Sequence, residues 1–273
     1  MIRIPRSVGT TVFLAAWLMP WRPAFRIRPA GSRLKFFVHH RDLIGRHIAK
    51  YGTHEPIPSR WLDNYLSGAQ PGIFIDVGAN LGWHTLHAAQ HTSVETVVAF
   101  EPDPFNCWLL DRNLAENGIA NAIVSNAAVG AQCGSIRLHR YKSSNCGRHS
   151  LLTDYGYGAR MVPLVDLDNA LRQLGLAGRP VTALKIDVEG YEPAVIAGAT
   201  KTLESTVAVI LEYSPDLSSA GGLSCHAMLD QLLGAGFQPF ALDEKSTAVP
   251  VAIEKLRCFE GQMDLVMMKP APR

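Results

Sequence analysis

The 273-residue chain lacks the equipment that holds a nucleotide phosphate. No GxxxxGK[ST] motif occurs, which excludes a P-loop. No Lys or Arg stands between Gly72 and Pro104 to help bind a pyrophosphate. In the turn VGANLGWHT, Asn80 and Trp83 occupy the second and third glycine positions of a dinucleotide fingerprint counted from Gly78. A Trp at the third position prevents the close helix–strand packing which that fingerprint requires, so an NAD-dependent enzyme is disfavoured. Cysteine is also sparse. Cys107, Cys133, Cys146, Cys225 and Cys258 are odd in number and form no CxxC. That argues against a disulfide framework or a zinc site and fits reduced thiols in the cytoplasm. No His-rich cluster supports a transition metal, and no internal repeat is visible.

Charge of one sign is nearly missing from the start of the chain. Residues 1–50 carry ten Lys or Arg against one acid, Asp42, and the remainder carries sixteen basic against twenty-three acidic residues. A basic arm of +9 on a body of −7 suits either a solvated face or an anionic partner such as a membrane surface. The uncharged run Ser7–Trp21, preceded by Arg3 and Arg6, has the basic and apolar parts of a signal peptide but no convincing cleavage site. It is short for a bilayer span, which needs about 20 apolar residues. It fits a membrane-surface segment flanked by arginines, or a helix packed on the domain. The expected organisation is an N-terminal extension over 1–40 and one domain over 41–273. Expected localisation is cytoplasmic with peripheral membrane contact through residues 1–40, and nucleic acid is not an expected partner.

What the chain does contain is an alternation of strand and helix patterns. IFID (73–76), TVVAFE (96–101), AIVSNAAVG (122–130), VTALKID (181–187) and AVILEY (208–213) read as buried strands. Trp83–Gln90, a helix opened by Asp103-Pro104, one through Val195, Ile196, Ala199 and Leu203, and one through Met228, Leu229 and Leu232 follow them. Between the third and fourth main strands, SIRLHRY (135–141) and RMVPLV (160–165) alternate in period two around the loop 142–158. This predicts an inserted strand pair. QPFAL and MDLVMM close the chain as an antiparallel pair with no helical pattern between them. The fold class is α/β: a mostly parallel, Rossmann-like seven-stranded sheet with helices on both faces.

In such sheets ligands lie beyond the carboxyl ends of the strands. Asp76, Glu101 and Asp187 fall at those ends, and Glu212 just inside another. Acids without phosphate-binding cations suit S-adenosylmethionine, which carries a sulfonium, an ammonium and a ribose diol. Glu101 can accept from both ribose hydroxyls. Gly78, Ala79 and Gly82 allow close backbone approach. The stretches DVGANLGWHT, AFEPDPFNCWLLDRNLAENG, NAAVG and KIDVEGYEPAVIAGA resemble the FkbM-type methyltransferase family from about Asp42 to Glu212. The resemblance implies a class I methyltransferase fold and SAM-dependent O-methylation of a hydroxyl on a sugar, glycan or secondary metabolite. It implies that Asp76, Gly78, Ala79, Asn80, Gly82, Thr85 and Glu101 line the cofactor site. Asn126 would approach the adenine and Asp187 would face the methyl donor.

Methyl transfer to a hydroxyl also needs a proton acceptor. Asp187, Glu189 and Glu192 crowd three carboxylates into six residues, which raises at least one pKa. Glu189 or Asp187 is the expected base, with Glu192 as a structural acid. His149, in a loop whose Ser150, Tyr155 and Tyr157 can grip hydroxyls, is a rival, and His84 and His87 read as packing residues. A magnesium ion on Asp187, Glu189 and Glu212 is a further rival. The alternative to an enzyme is a non-catalytic SAM-fold module held at a membrane by its basic arm.

Overall fold

The computed structural model describes residues 24–39, 42–142 and 145–270. The run Ser7–Trp21, with its expected membrane contact, lies outside the described residues. In chain order the first elements are β1 (Ala24–Ile27), β2 (Phe36–His39), α1 (Leu43–Tyr51) and α2 (Pro56–Gly68). They are followed by β3 (Gly72–Val77), α3 (Trp83–Ala88), β4 (Val94–Phe100), α4 (Pro104–Glu116) and β5 (Ala122–Ser125). β6 (Ala128–Val129), β7 (Gly134–His139), β8 (Ala159–Val165) and α5 (Leu167–Gln173) form the inserted part. The second half has β9 (Val181–Ile186), α6 (Glu192–Ala197), α7 (Thr200–Ser205), β10 (Thr206–Tyr213), α8 (Pro215–Ala220) and α9 (Cys225–Gly234). β11 (Gln238–Leu242), β12 (Ala248–Pro250), α10 (Ile253–Arg257) and β13 (Met263–Met268) complete it.

The main sheet has the order β12-β11-β13-β10-β9-β3-β4-β5. β5, β4, β3, β9 and β10 are mutually parallel, and β13 runs antiparallel between β10 and β11. Seven of these strands give the Rossmann-like methyltransferase order, and the three-residue β12 adds an eighth at the edge. From β3 the chain winds outward through β4 and β5, then returns to β9 on the other side. The switch point therefore lies between β3 and β9, where such sheets bind ligands.

Alternate strand residues feed two cores. Ile73, Ile75, Val77, Leu184 and Ile186 face Leu167 of α5, Val195 and Ile196 of α6 and Met228 and Leu229 of α9. Phe74, Ala183, Ile210 and Val266 face Trp61, Leu62 and Leu66 of α2. The apolar side of α3 and α4 packs in a third cluster with Phe36 and Val38 of β2.

Several expectations need correction. The helix expected from Val195 to Leu203 is two helices. They break at Gly198, where a Cβ would stand 2.1 Å from the Gly130 carbonyl oxygen. The inserted strand pair is a three-stranded sheet, β6-β8-β7, because β6 from the exit of β5 pairs parallel to β8. The closing strands are separated by β12 and α10, elements too short to leave a periodic signal. The first 40 residues are not wholly an extension. Within them, β1 and β2 form a hairpin whose Leu34, Phe36 and Val38 are buried in the core.

The hairpin is fixed by amides on α4. Buried Asn113 accepts from Phe37 N and donates to the Phe37 and Leu81 carbonyls, and Asn117 accepts from Lys35 N and donates to its carbonyl. Asn113→Ala strands these backbone groups in a buried setting. We expect a loss of about 2–4 kcal/mol, since each orphaned buried polar group costs roughly 1–3 kcal/mol. A urea denaturation midpoint equal to wild type would show that the hairpin docks by apolar contact alone.

Candidate active site at the switch point

The site begins with an in-register pair. Asp76 of β3 lies opposite Lys185 of β9. Both are buried, and Lys185 Nζ stands 3.5 Å from Asp76 Oδ1, 3.3 Å from Asp187 Oδ2 and 3.4 Å from the Gly78 carbonyl. Burial opposes the ammonium, but Asp187, Asp76 and Glu55 outweigh it and hold the Lys185 pKa above its ordinary value. The other Asp76 oxygen accepts from Thr85 Oγ1 at 2.6 Å. On the same face of the sheet, Glu212 of β10 pairs with Asp264 of β13. Sequence reading missed Lys185, although it is the one charged residue of buried β9.

Two turns close over this row. Gly78 has φ +79°, and a Cβ there would meet the Asp187 carbonyl oxygen at 1.9 Å, so the strand ends touch only because residue 78 is glycine. Asn80 follows at φ +52°. Its N–H donates to Glu101 Oε2 at 2.8 Å, and Asp103 N–H donates to Glu101 Oε1 at 2.8 Å. Burial nevertheless pushes the Glu101 carboxyl up to about 7. Asp103 caps α4 by accepting from Phe105 N and Asn106 N.

Above the switch point is a cleft of about 440 Å³. Of the residues singled out in the sequence, Gly78, Ala79, Asn80, Glu101, Asp187, Glu189 and His149 line it. Phe100, Pro102, Ala127, Leu138 and Leu151 form an apolar end, and Glu55, His84, Lys185, Glu212 and Gln262 a polar one. A second cavity of about 340 Å³ adjoins the polar end and shares those five residues and Asp187 with it.

Four expected cofactor residues do not line the cleft. Asp76 and Thr85 lie beneath it, bonded to each other, and Asp76 is also paired with Lys185. Gly82 serves packing: a Cβ there would strike Leu110 Cδ1 at 2.4 Å. Asn126 uses its amide on the carbonyls of Glu101 and Pro102, bracing the turn rather than reaching into the cleft. The loop residues divide likewise. Ser150 caps its own turn by accepting from Leu152 N and Thr153 N, while Tyr155 and Tyr157 pack edge-on against Tyr141 outside the cleft.

The expected bases differ in their surroundings. Glu189, at φ +53°, has its carboxyl pushed up to about 7 by burial and then by Asp187, and its Oε1 lies 3.8 Å from Arg148 Nε of the covering loop. His149 accepts from Tyr141 N through Nδ1 at 3.0 Å, and its Nε2 faces Asp103 Oδ2 at 4.0 Å. A neutral His149 thus carries its proton on Nε2 and has no lone pair to offer, which argues against it as base. Glu192 holds the turn before α6, its Oε1 accepting from Val188 N and Gly190 N. Among the described residues no group of three or more His, Cys, Asp or Glu is arranged to hold a metal ion, so the Asp187–Glu189–Glu212 magnesium reading finds no support.

Residues 76–239 match the model of the Methyltransferase FkbM domain. The chain belongs to the FkbM methyltransferase family. A curated relative, the hexuronic acid methyltransferase AglP of Haloferax volcanii, is 29% identical over 140 residues, covering 51% of this chain and 55% of its own. The chain thus spans about half the length of that relative. Among solved structures, Methyltransferase FkbM from Methylobacillus flagellatus KT shares 14% identity at a TM-score of 0.45, over 72% of this chain and 43% of that one. A SAM-dependent methyltransferase from Agrobacterium tumefaciens shares 12% at 0.49, over 92% and 71%. At such scores the strand order itself remains the stronger statement of fold. No helix among the described residues is long and apolar enough to cross a membrane.

The crowded acids make stability depend on pH. Burial pushes Glu189 and Glu192 up to about 7 and Glu212 up to about 9. The folded chain therefore holds protons that the unfolded chain has already released. This contribution to stability is complete below the ordinary carboxyl range and is lost as pH climbs through 7 and then 9. Urea midpoints should fall from pH 5 to pH 9; a rising midpoint would contradict these environments.

Proposed function

We propose that this chain is a SAM-dependent O-methyltransferase acting on a sugar-type hydroxyl. The observation that carries the reading is the cleft at the switch point. It ends in acids from successive strands, and its one buried cation, Lys185, is already neutralised by Asp76 and Asp187. A diphosphate would find one further cation, Arg148 of the covering loop, and that faces Glu189 at 3.8 Å, whereas a sulfonium and an ammonium find carboxylates.

The residues present fit that cofactor. Glu101 would take the ribose hydroxyls, fixed by two backbone N–H groups so that its oxygens point one way. The apolar end formed by Phe100, Pro102, Leu138 and Leu151 suits an adenine. Asp187, Glu189 and the backbone of Gly78 to Asn80 would hold the amino-acid end. When bound, SAM supplies an electrophilic methyl group. The protein's task is then alignment, and correct orientation of two reactants is worth about 7–11 kcal/mol.

The second cavity suits the acceptor. Asp187, Glu212 and Asp264 line it. Glu212, with its carboxyl near 9, is a hydrogen-bond donor at neutral pH. Such walls favour hydroxyls over carboxylates, so a neutral sugar is the better fit. AglP's name supports a sugar as acceptor class, although its hexuronic acid bears the very group this lining would repel.

Isothermal titration should show binding of SAM and S-adenosylhomocysteine and none of NAD. Glu101→Ala should weaken SAM binding about 10–100-fold, the value of roughly 1.5–3 kcal/mol for hydrogen bonds to a charged group. Unchanged affinity would remove Glu101 from the site.

A further inference from the structure

The two cavities meet at six side chains: Glu55, His84, Lys185, Asp187, Glu212 and Gln262. If the cofactor fills the cleft and the acceptor the second cavity, methyl transfer takes place at this junction, and the proton must leave there. Five of the six are poor acceptors. Lys185 is a cation and Gln262 an amide. Asp187 is taken up by the Lys185 ammonium at 3.3 Å. Glu212 is already protonated at neutral pH. Glu55 lies between two imidazoles, with His84 Nε2 2.8 Å from Oε2 and His54 Nε2 3.3 Å from Oε1.

His84 is different. It sits in the first turn of α3, 6% exposed, and it lines both cavities. Burial works to raise the Glu55 carboxyl, but its bonds to His54 and His84 prevail and hold it well below the ordinary range. Glu55 is thus an acceptor only, and Nε2–H donates to it. The tautomer that remains leaves the lone pair on Nδ1. Among the described residues Nδ1 has no hydrogen-bond partner, and it keeps some accessible surface on a residue that lines both cavities. A carboxylate that fixes one ring nitrogen while the other faces a reacting group is the arrangement that makes histidine a general base.

We propose that His84, oriented by Glu55, accepts the proton of the hydroxyl that is methylated. The assignment rests on the methyl-transfer reading above. The hydroxyl oxygen bonds to the methyl carbon as the carbon–sulfur bond breaks, and that electron pair stays on sulfur. The proton passes to Nδ1, and the imidazolium is stabilised by Glu55 through Nε2–H. The charged and titratable groups around the ring are His54 and Glu55 before α2, His87 on α3, Lys185 and Asp187 of β9, Glu212 of β10 and Asp264 of β13. Glu189 lines only the cleft, away from the second cavity. This moves the base from the residue that the sequence favoured.

Two measurements test it. Long-range nitrogen NMR on the histidine-labelled protein without ligand, assigned by loss of a signal in His84→Asn, should show Nε2 protonated and Nδ1 bare near pH 7.5. The opposite tautomer would overturn the proposal. Transfer of labelled methyl from SAM into a polar metabolite extract is the second. His84→Asn should lose at least about 100-fold in turnover, the usual scale for a general base, with SAM affinity by titration held within about threefold. Glu55→Gln should lose less turnover than His84→Asn, because the imidazolium formed in transfer loses its counter-charge, and should mix the two His84 tautomers in the nitrogen NMR spectrum, which a purely structural role would leave unchanged. Wild-type turnover in His84→Asn, or the large loss falling on Glu189→Gln instead, would overturn the assignment while leaving methyl transfer standing. A wild-type protein that binds no SAM and transfers nothing would overturn both.

Discussion

A single buried contact, Lys185 against Asp76, organises the site. The two residues are cross-strand partners on the two strands that flank the switch point. A buried cation without a partner would cost several kcal/mol, and so would a buried carboxylate. Together they neutralise each other and tie β3 to β9 at the point where the chain reverses its winding. Asp187 joins the pair from the end of β9. The floor of the cleft is therefore set before any ligand arrives, and it presents acids rather than bases.

Strand geometry carries that order outward. Side chains two apart share a face, so the face that takes Phe74, Ala183, Ile210 and Val266 into the core next takes Asp76, Lys185, Glu212 and Asp264. The apolar run packs α2, while Lys185, Glu212 and Asp264 line the cavities and Asp76 lies beneath them. The small β6-β8-β7 sheet then lays its loop across the top, where Gly147, Arg148 and His149 line the cleft. Backbone turns at Gly78, Asn80 and Glu189, all with positive φ, bring the pieces close enough to share one ligand.

Much of this was readable from residues alone, for physical reasons. Apolar strands ending in acids announce both the sheet and its ligand edge. Asp103-Pro104 announces a helix start because its cap chemistry is local. What escaped reading was non-local or short. The α6–α7 break depends on Gly198 meeting a carbonyl more than sixty positions earlier, and no helical periodicity encodes that. β6 and β12 have two and three residues, too few to show alternation. Gly82 and Asn126 are small and polar residues of the kind that line sites, yet their neighbours in space make them supports. His84 read as packing because its partner, Glu55, lies 29 positions away in a separate turn. Lys185 was overlooked because its meaning depends on the strand beside it.

The central claim is that the acids at the strand ends hold an adenosine-linked cation. A crystal structure with S-adenosylhomocysteine tests it most directly. The account predicts both ribose hydroxyls on the Glu101 carboxylate, the adenine against Phe100 and Leu138, and the sulfur directed to the junction beside His84 and Asp187. A ligand seated elsewhere, or a ribose that leaves Glu101 untouched, would contradict it.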